Sequence, residues 1–216
     1  MQNWIGIAAS FGFIFTVIFL ARFLARFGKE ASRKTVHILV CNWWFLAMYF
    51  FEQPVWAAIV PASFVVINTL SYRYQIFQVM ERGEGKEDLG TVYYAVSLLI
   101  LSLLTFGAGK NPLVGAAGIL IMGYGDGLAA VIGKAFPWGS YRVFGSRKSL
   151  TGNLTMFVVS AAVLALLITW QGASPILPAA LGLALVATLV EAVTPFGLDN
   201  LTVPLASALA YGMVMA

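Results

Sequence analysis

Hydrophobic residues run along this chain in long blocks that are separated by short polar, Pro- or Gly-containing breaks. A helix needs about 20 mostly apolar residues to cross a bilayer, and a membrane β-strand would instead show strict alternation. The pattern therefore predicts an all-α, polytopic membrane bundle of about eight transmembrane helices, with residues 1–216 forming one integral membrane domain. The predicted spans are 3–22, 35–51, 54–71, 89–106, 112–133, 150–170, 174–193 and 200–216.

Composition supports the same class of protein. Of the 216 residues, 60% are hydrophobic and 10% are charged, whereas about 25% charged residues are usual in a soluble domain. Cys41 is the single cysteine, so an internal disulfide is excluded. We expect the lipid bilayer as a partner and no nucleic acid, and we make no prediction of an oligomeric state.

The basic residues are distributed unevenly between the two predicted sides of the membrane. Twelve of the 13 Lys and Arg residues lie in alternate loops, and the other loops contain only Lys110. The twelve are Arg22, Arg26, Lys29, Arg33, Lys34, Arg73, Arg82, Lys86, Lys134, Arg142, Arg147 and Lys148. The positive-inside rule then predicts that these loops are cytoplasmic and that both termini are on the non-cytoplasmic side. The first apolar block has its cations after it, as expected for a spanning helix rather than a signal peptide.

One carboxylate, Asp126, lies inside the fifth predicted span with a glycine on each side. An ionisable group in a spanning helix costs about 2.5 to 3.5 kcal/mol on insertion scales, so it marks a candidate functional site. In a helical register it shares a face with small residues, which favours close packing against another helix. This face comprises Gly115, Gly118, Met122, Asp126, Ala129 and Gly133. We predict Asp126 as a Mg²⁺ ligand; a structural carboxylate that is protonated or paired with a buried cation is the alternative.

The loop after this span is basic and glycine-punctuated. It carries Lys134, Arg147 and Lys148, and it leads into the next span through Ser149 and Gly152. Backbone N–H groups at a helix start, together with cations and hydroxyls, are what a phosphate site requires. The positive-inside rule alone also accounts for cations at this position, so both interpretations stay open.

A third polar stretch opens the second predicted span. Ser32 is a plausible helix N-cap, and Arg33, Lys34 and His37 are spaced to share one helical face. His37 is the single histidine of the chain, and its unperturbed pKa near 6.5 suits it to contact a phosphate or to act as a general base. A packing histidine with a hydrogen bond is the alternative.

The fourth polar stretch joins the last two spans. A second small-residue face ends at Glu191, and Asp199 and Asn200 open the final span. The predicted topology brings all four stretches to one side of the membrane. We therefore predict a cluster that contains Asp126, Glu191 and Asp199, with Arg33, Lys34 and Lys148 opposite them. The loop over 72–88 mixes apolar and charged residues, and an interfacial helix or a solvated connector would fit it equally.

Four sequence blocks resemble one family. The blocks RKTVH at 33–37, GDGLAAVIGK at 125–134, RKSLTGN at 147–153 and DNLTVPL at 199–205 are similar to the signatures of the CTP-dependent isoprenoid alcohol kinases. That family includes phytol, farnesol, dolichol and polyprenol kinases and is related to phosphatidate cytidylyltransferase. Thr151 stands where the family pattern has Glu in Lys-Ser-Leu-Glu-Gly, so any role of an acid there is lost.

The resemblance implies a membrane-embedded catalytic domain that transfers the γ-phosphoryl group of CTP to a long isoprenoid alcohol. Asp126 would hold Mg²⁺, with Glu191 or Asp199 as a second ligand or as the base, and His37 would orient a phosphate or the alcohol. The implied nucleotide- and phosphate-binding residues are Arg33, Lys34, Lys134, Arg147, Lys148, Ser149, Gly152 and Asn200. The active site is expected to face the cytoplasm, where the alcohol's hydroxyl and a water-borne nucleotide meet.

Two other functions are the alternatives to an alcohol kinase. A cytidylyltransferase would use CTP and a lipid phosphate to make a CDP-activated lipid and release pyrophosphate. A transporter would instead bury its ionisable groups near the membrane midplane on broken helices, whereas here these groups are predicted at one surface.

Overall fold

The computed structural model describes residues 1–24, 26, 29–74, 76 and 89–215. Within these residues, helices make up almost the whole fold. The elements are α1 (Gln2–Leu24), α2 (Lys29–Val40), α3 (Trp43–Phe50), α4 (Pro54–Tyr74), α5 (Gly90–Thr105), α6 (Pro112–Leu120), a π-helical segment (Ile121–Asp126), α7 (Gly127–Ala135), β1 (Ser140–Val143), β2 (Ser146–Ser149), α8 (Leu150–Gln171), α9 (Ile176–Val193) and α10 (Asp199–Met215).

The predicted all-α polytopic bundle is confirmed. Five helical stretches among the described residues are long and apolar enough to cross a membrane, and α5 is a shorter apolar helix. The two other predicted spans correspond to α2 with α3 and to α10. The count of eight spans and the sidedness of the termini stay predictions. Helix α4 ends at Tyr74, and the rest of the loop over 72–88 lies outside the described residues except for residue 76, so the choice between an interfacial helix and a connector stays open.

The second predicted span differs from the expectation in two ways. It begins at Lys29, so Ser32 lies inside α2 and is not its N-cap. The Ser32 hydroxyl instead donates to the Ala21 carbonyl at 2.6 Å and joins α2 to α1. The helix is then interrupted at Cys41 and Asn42 before α3 begins.

The stretch from Pro112 to Ala135 forms the centre of the bundle. In its most apolar window 72% of the residues are buried, against 28% to 39% in the four other long helices. It combines α6, the π-helical segment and α7, and it packs against α2, α5, α8 and α10. A spanning helix buried to this extent faces protein rather than lipid, which lets it carry a carboxylate.

Small residues on this central stretch allow the neighbouring backbones to approach closely, as predicted. A Cβ atom at Gly118 would collide with the Pro204 carbonyl of α10, and one at Gly133 would lie 3.1 Å from the Gly152 Cα atom of α8. The predicted single face nevertheless meets several helices. A π-helical turn has i→i+5 hydrogen bonds, so residues after it are rotated away from the face that a regular α-helix would give.

The basic loop contains a β-hairpin that the sequence pattern did not predict. Strands β1 and β2 pair antiparallel, with Tyr141 opposite Lys148 and Arg142 opposite Arg147. The turn residues Phe144 and Gly145 have φ angles of 46° and 85°, as in the type I′ turns that suit two-residue hairpins. The hairpin connects α7 directly to α8.

Candidate active site

A cavity of about 470 Å³ opens at the end of the bundle where α7 and α9 end and α8 and α10 begin. Nine of the twelve predicted site residues line it. They are Lys34, Asp126, Lys134, Arg147, Lys148, Ser149, Gly152, Glu191 and Asp199. Residues from four separate stretches of sequence thus converge on one cavity, as the charge pattern predicted.

The first part of the site, here called the inner half, consists of Asp126, Lys34 and His37. The Asp126 Oδ2 atom lies 3.0 Å from Lys34 Nζ and 3.2 Å from His37 Nε2. All three side chains are less than a tenth exposed. A buried charge is tolerated only when it is paired, and α2 supplies both partners to the carboxylate at the end of the π-helical segment.

His37 stands behind Asp126 and does not line the cavity. Its Nε2 atom also lies 3.0 Å from the Met122 carbonyl oxygen. Both neighbours are hydrogen-bond acceptors, so Nε2 carries the proton and donates. The ring therefore orients the Asp126 carboxylate, and a contact of His37 with a phosphate or with the alcohol stays a prediction.

The second part, here called the outer half, consists of Lys148, Glu191 and Asp199. Lys148 Nζ forms an ion pair with the Glu191 carboxylate, donates to the Glu191 carbonyl at 3.0 Å and lies 3.8 Å from Asp199 Oδ2. Burial opposes the charged form of Lys148, but Glu191 and Asp199 outweigh it and raise the pKa of this ammonium above its ordinary value. Lys148 therefore remains a cation at neutral pH.

The hairpin and the start of α8 position Lys148. The Tyr141 hydroxyl, opposite Lys148 in the hairpin, donates to Asn153 Oδ1 at 3.0 Å, and Asn153 Nδ2 donates back at 2.8 Å. Ser149 caps α8, because its hydroxyl oxygen accepts a hydrogen bond from the Gly152 N–H at 3.1 Å. These bonds hold β2 against the helix, so that Lys148 points toward the α9–α10 junction.

The two halves meet at their carboxylates. Asp126, Glu191 and Asp199 each place one carboxylate oxygen within 4.8 Å of the others. Among the described residues, this is the one group of three or more His, Cys, Asp or Glu side chains close enough to share a metal ion. Mg²⁺ prefers an all-oxygen donor set of this kind.

Lys134 and Arg147 lie at the rim of the cavity, and both are exposed. Arg147 Nη2 donates to the Ser140 hydroxyl at 3.4 Å across the hairpin. Two exposed cations at the mouth create a positive potential where an anionic ligand would enter.

Arg33 and Asn200 do not line the cavity. Arg33 is half-buried in α2 next to Lys34. Asn200 is buried, and its Nδ2 atom donates to the Gly197 carbonyl at 3.1 Å and to Asp199 Oδ1 at 3.3 Å. Asn200 therefore stabilises the α9–α10 turn and the position of the Asp199 carboxylate, and its contact with a nucleotide stays a prediction.

Sequence reasoning missed several residues that support the site. Tyr94 of α5 packs its ring 5.0 Å from the His37 ring, centroid to centroid, and donates its hydroxyl to the His37 carbonyl at 3.1 Å. No sequence motif marks Tyr94, since it lies in an ordinary apolar span. Asn153 had a signal, because it closes the RKSLTGN block. Thr151 is half-buried and is not among the described residues that line the cavity.

The structure therefore describes a polytopic helical bundle with an acid–base cluster at one end. The chain is similar to "Phytol kinase" of Synechocystis sp., with 35% identity over 217 residues, covering 95% of this chain and 90% of that protein. It is also similar to "Probable phytol kinase 1, chloroplastic" of Glycine max, with 32% identity over 200 residues, covering 82% of this chain and 64% of that protein. The chain belongs to the phytol kinase family.

This result confirms the family resemblance that the four sequence blocks indicated. No family model and no solved structure matches the chain. The predicted relationship to phosphatidate cytidylyltransferase stays a prediction.

Proposed function

We propose that this protein is a membrane-embedded lipid kinase that transfers the γ-phosphoryl group of CTP to the hydroxyl of a long-chain isoprenoid alcohol. Membership in the phytol kinase family supports an isoprenoid alcohol kinase. The choice of CTP and Mg²⁺ rests on the resemblance of the four sequence blocks and on the chemistry of the cavity. Phytol, farnesol, geranylgeraniol, dolichol and polyprenol are the acceptors to compare.

The observation that carries the proposal is the combination of acids and cations in one cavity. Three clustered carboxylates lie beside Lys34 and Lys148, with Lys134 and Arg147 at the rim. Phosphoryl transfer depends mainly on positioning the phosphates and neutralising their charge. A cavity with this composition supplies both requirements.

Asp126 would hold a magnesium ion together with Glu191 or Asp199, since the oxygens of all three are close enough to share one cation. The ion would supply charge neutralisation at the nucleotide phosphates. Asp126 is the strongest candidate ligand because the helical core fixes its position through Lys34 and His37.

The protein's own side chains would carry the remaining work. Lys34 and Lys148 would contact the transferred phosphoryl group and the phosphate next to it, while the rim cations bind the nucleotide as it enters. The alcohol oxygen forms a bond to the γ-phosphorus as the bond from that phosphorus to the β-phosphate oxygen breaks. CDP leaves, and the alcohol's proton passes to Glu191 or Asp199, whichever is not engaged as a ligand.

The location of the site fits an amphiphilic acceptor. By the positive-inside rule this end of the bundle faces the cytoplasm, where CTP is available. An isoprenoid alcohol keeps its tail in the bilayer and its hydroxyl at the surface, so both substrates would reach the cavity from their own phases.

One assay tests donor, acceptor and reaction type together. Purified protein in lipid nanodiscs is incubated with Mg²⁺, each γ-labelled nucleotide and a panel of isoprenoid alcohols and diacylglycerol. We expect label in an isoprenoid monophosphate, CDP as the second product, and loss of transfer when EDTA removes the metal.

Other products would overturn the proposal. Release of pyrophosphate with formation of a CDP-lipid would show a cytidylyltransferase. Faster transfer from ATP than from CTP would refute the donor, and full activity in EDTA would refute the metal. Movement of substrate across sealed vesicles without chemistry would show a transporter.

A further inference from the structure

A second concave site lies away from the acid–base cluster, between α1, α2, α4 and α5. It is a narrow apolar groove with a cavity volume of about 60 Å³. Ile14 and Ile18 of α1 form one wall, and Val36 and Val40 of α2 form another. Phe64 of α4 contributes an aromatic surface. Nothing in the proposed phosphoryl transfer uses this groove.

Polar groups occur mainly at the end of the groove that lies toward the acid–base cluster. Asn68 lies near the end of α4 and Thr91 at the start of α5, and Asn68 Nδ2 donates to the Thr91 carbonyl at 2.9 Å. The buried Asn68 Oδ1 has no hydrogen-bond partner among the described residues. From Asn68 to Val60 along α4 the groove extends roughly 12 Å, at 1.5 Å per residue. Its lining there is apolar apart from the indole N–H of Trp43, which is also buried without a hydrogen-bond partner among the described residues.

This orientation follows from the helix directions. The end of α1 meets the start of α2, since Ser32 bonds to Ala21, and the start of α1 meets the end of α3, since Gly6 packs on Phe50. Therefore α4 begins at the far end of the bundle and returns toward the cavity. The polar end of the groove and the acid–base cluster are at the same end.

One side chain connects the groove to the inner half of the site. Tyr94 lines the groove, packs its ring against His37 and donates its hydroxyl to the His37 carbonyl. His37 in turn contacts Asp126. A molecule lying in the groove is thus separated from the partner of Asp126 by the Tyr94 side chain.

We propose that the groove binds the acceptor alcohol before transfer, with the hydroxyl at the Asn68 end and the isoprenoid chain directed toward Val60 and Trp43. The hydroxyl then has to move past Tyr94 and His37 to meet the γ-phosphorus in the acid–base cavity. This inference rests on the proposed kinase function, which supplies the occupant. The unpartnered Asn68 Oδ1 can accept a hydrogen bond from an alcohol hydroxyl. The hydrocarbon tail of a bulk phospholipid has no hydroxyl to donate. Branched isoprene units match the β-branched and aromatic lining.

The small volume limits what the groove recognises. A cavity of about 60 Å³ cannot enclose a whole long-chain alcohol, so carbons beyond the groove lie against lipid. The enzyme is therefore selective for the first isoprene units and tolerant of total chain length. Affinity should rise with the first units and then level off.

A binding experiment that does not need turnover tests the location. Protein in nanodiscs is irradiated with an isoprenoid alcohol that carries a diazirine on its first isoprene unit, and the labelled peptides are identified by mass spectrometry. We expect labels on groove residues of α1, α2, α4 and α5 that excess phytol suppresses and an alkane of equal length does not. Labels spread over the outer helix surfaces, unaffected by phytol, would refute the groove.

A steric variant with a matched control tests whether the acceptor alcohol uses the groove. Ile18→Trp fills the groove, whereas Phe19→Trp places the same side chain at the next, outward-facing position, which is 73% exposed. We expect Ile18→Trp to raise the KM for long-chain alcohols about tenfold with an unchanged KM for the nucleotide, and Phe19→Trp to behave as the unaltered protein.

The outcomes separate the two proposals. If the unaltered protein phosphorylates no alcohol, the proposed function fails, while phytol-sensitive labelling of the groove would still show an isoprenoid site. If phosphorylation is normal but Ile18→Trp and Phe19→Trp have equal KM values for the alcohol, the groove proposal alone is wrong.

Discussion

The inner and outer halves of the site are built in different ways, although each pairs acids with a lysine. The inner half joins α2 to the buried central stretch, and its side chains are less than a tenth exposed. The outer half joins a hairpin to the turn between α9 and α10, and its Lys148 and Asp199 side chains are 14% and 17% exposed. Helix packing fixes the position of the inner half, while the hairpin and the α9–α10 turn bring the outer half to the cavity. We infer that the inner half sets the geometry and that the outer half contributes to binding the nucleotide phosphates.

The largest expected effect comes from the carboxylate of the inner half. Asp126→Asn keeps the side-chain shape but removes the negative charge that Lys34 and His37 face and that the proposed metal site needs. We expect kcat to fall by about 10³-fold, as for other losses of transition-state charge stabilisation, with the protein still eluting as a folded species. Phosphoryl transfer is measured with labelled CTP.

The matched control for Asp126→Asn is Glu52→Gln, since Glu52 is exposed between α3 and α4 at the far end of the bundle. It should leave both activity and folding unchanged. Activity of Asp126→Asn above about a tenth of normal would show that the inner half does not set the geometry.

The two lysines distinguish the halves directly. Lys34→Met leaves Asp126 buried without its main cation, so we expect a loss of stability of about 3 kcal/mol and a fall in kcat. Lys148 is more exposed than Lys34 and is proposed to contact a nucleotide phosphate. For Lys148→Met we therefore expect a KM for the nucleotide raised about 30-fold, the size of one lost charge-assisted contact to phosphate, with a smaller loss of stability.

Thermal unfolding in nanodiscs and steady-state kinetics measure both lysine variants. The comparison of the halves is wrong if Lys148→Met lowers the melting temperature more than Lys34→Met does. Lys110→Met, an exposed cation at the other end of the bundle, serves as the control for charge removal.

A smaller effect is expected at position 151, at the edge of the outer half. Thr151→Glu restores the acid of the family pattern, but Thr151 does not line the cavity. We expect kcat and the KM for the nucleotide to stay within about twofold, because a carboxylate in the first turn of α8 acts mainly on the helix dipole. A rise in kcat of much more than twofold in Thr151→Glu would show that an acid at position 151 takes part in the reaction.

The smallest effect concerns pH. Neighbouring acids raise the pKa of Lys148 above its ordinary 10.5, and a raised lysine pKa means that the cation is lost only as the pH rises through that higher value. Deprotonation of Lys148 should therefore not raise the KM for the nucleotide at any pH up to about 10. Lys148→Arg, which keeps its positive charge, should show the same dependence of KM on pH. If the KM of the unaltered protein rises below about pH 10 while that of Lys148→Arg does not, Lys148 is not a cation over this range.

Several features of the fold and site were predictable from sequence because they depend on composition along the chain. Apolar blocks of membrane-spanning length indicated the helices. The alternation of basic loops correctly brought Lys34, Asp126, Lys148, Glu191 and Asp199 to one end of the bundle. A carboxylate between two glycines in an apolar span was unusual enough to mark the site without knowledge of its partners.

Other features arise from contacts between distant residues, which no local pattern encodes. The ion pair between Lys34 and Asp126 spans 92 positions, and the bond from Tyr94 to His37 spans 57. The π-helical turn depends on how the central stretch packs among its neighbours. A regular helical wheel therefore placed the small residues of this stretch on one face, whereas in the structure they contact several helices. The hairpin forms because two short polar strands pair across a tight turn.

The sequence by itself determined which residues enter the membrane and which polar groups gather at one end, because the free energy of transferring each side chain into lipid is a property of that residue. Only the tertiary structure decided how the acids divide into two halves, that His37 supports Asp126 from behind the cavity, and that an apolar groove lies one side chain away. Those outcomes depend on packing and on the direction of each hydrogen bond, which exist only after the helices have come together.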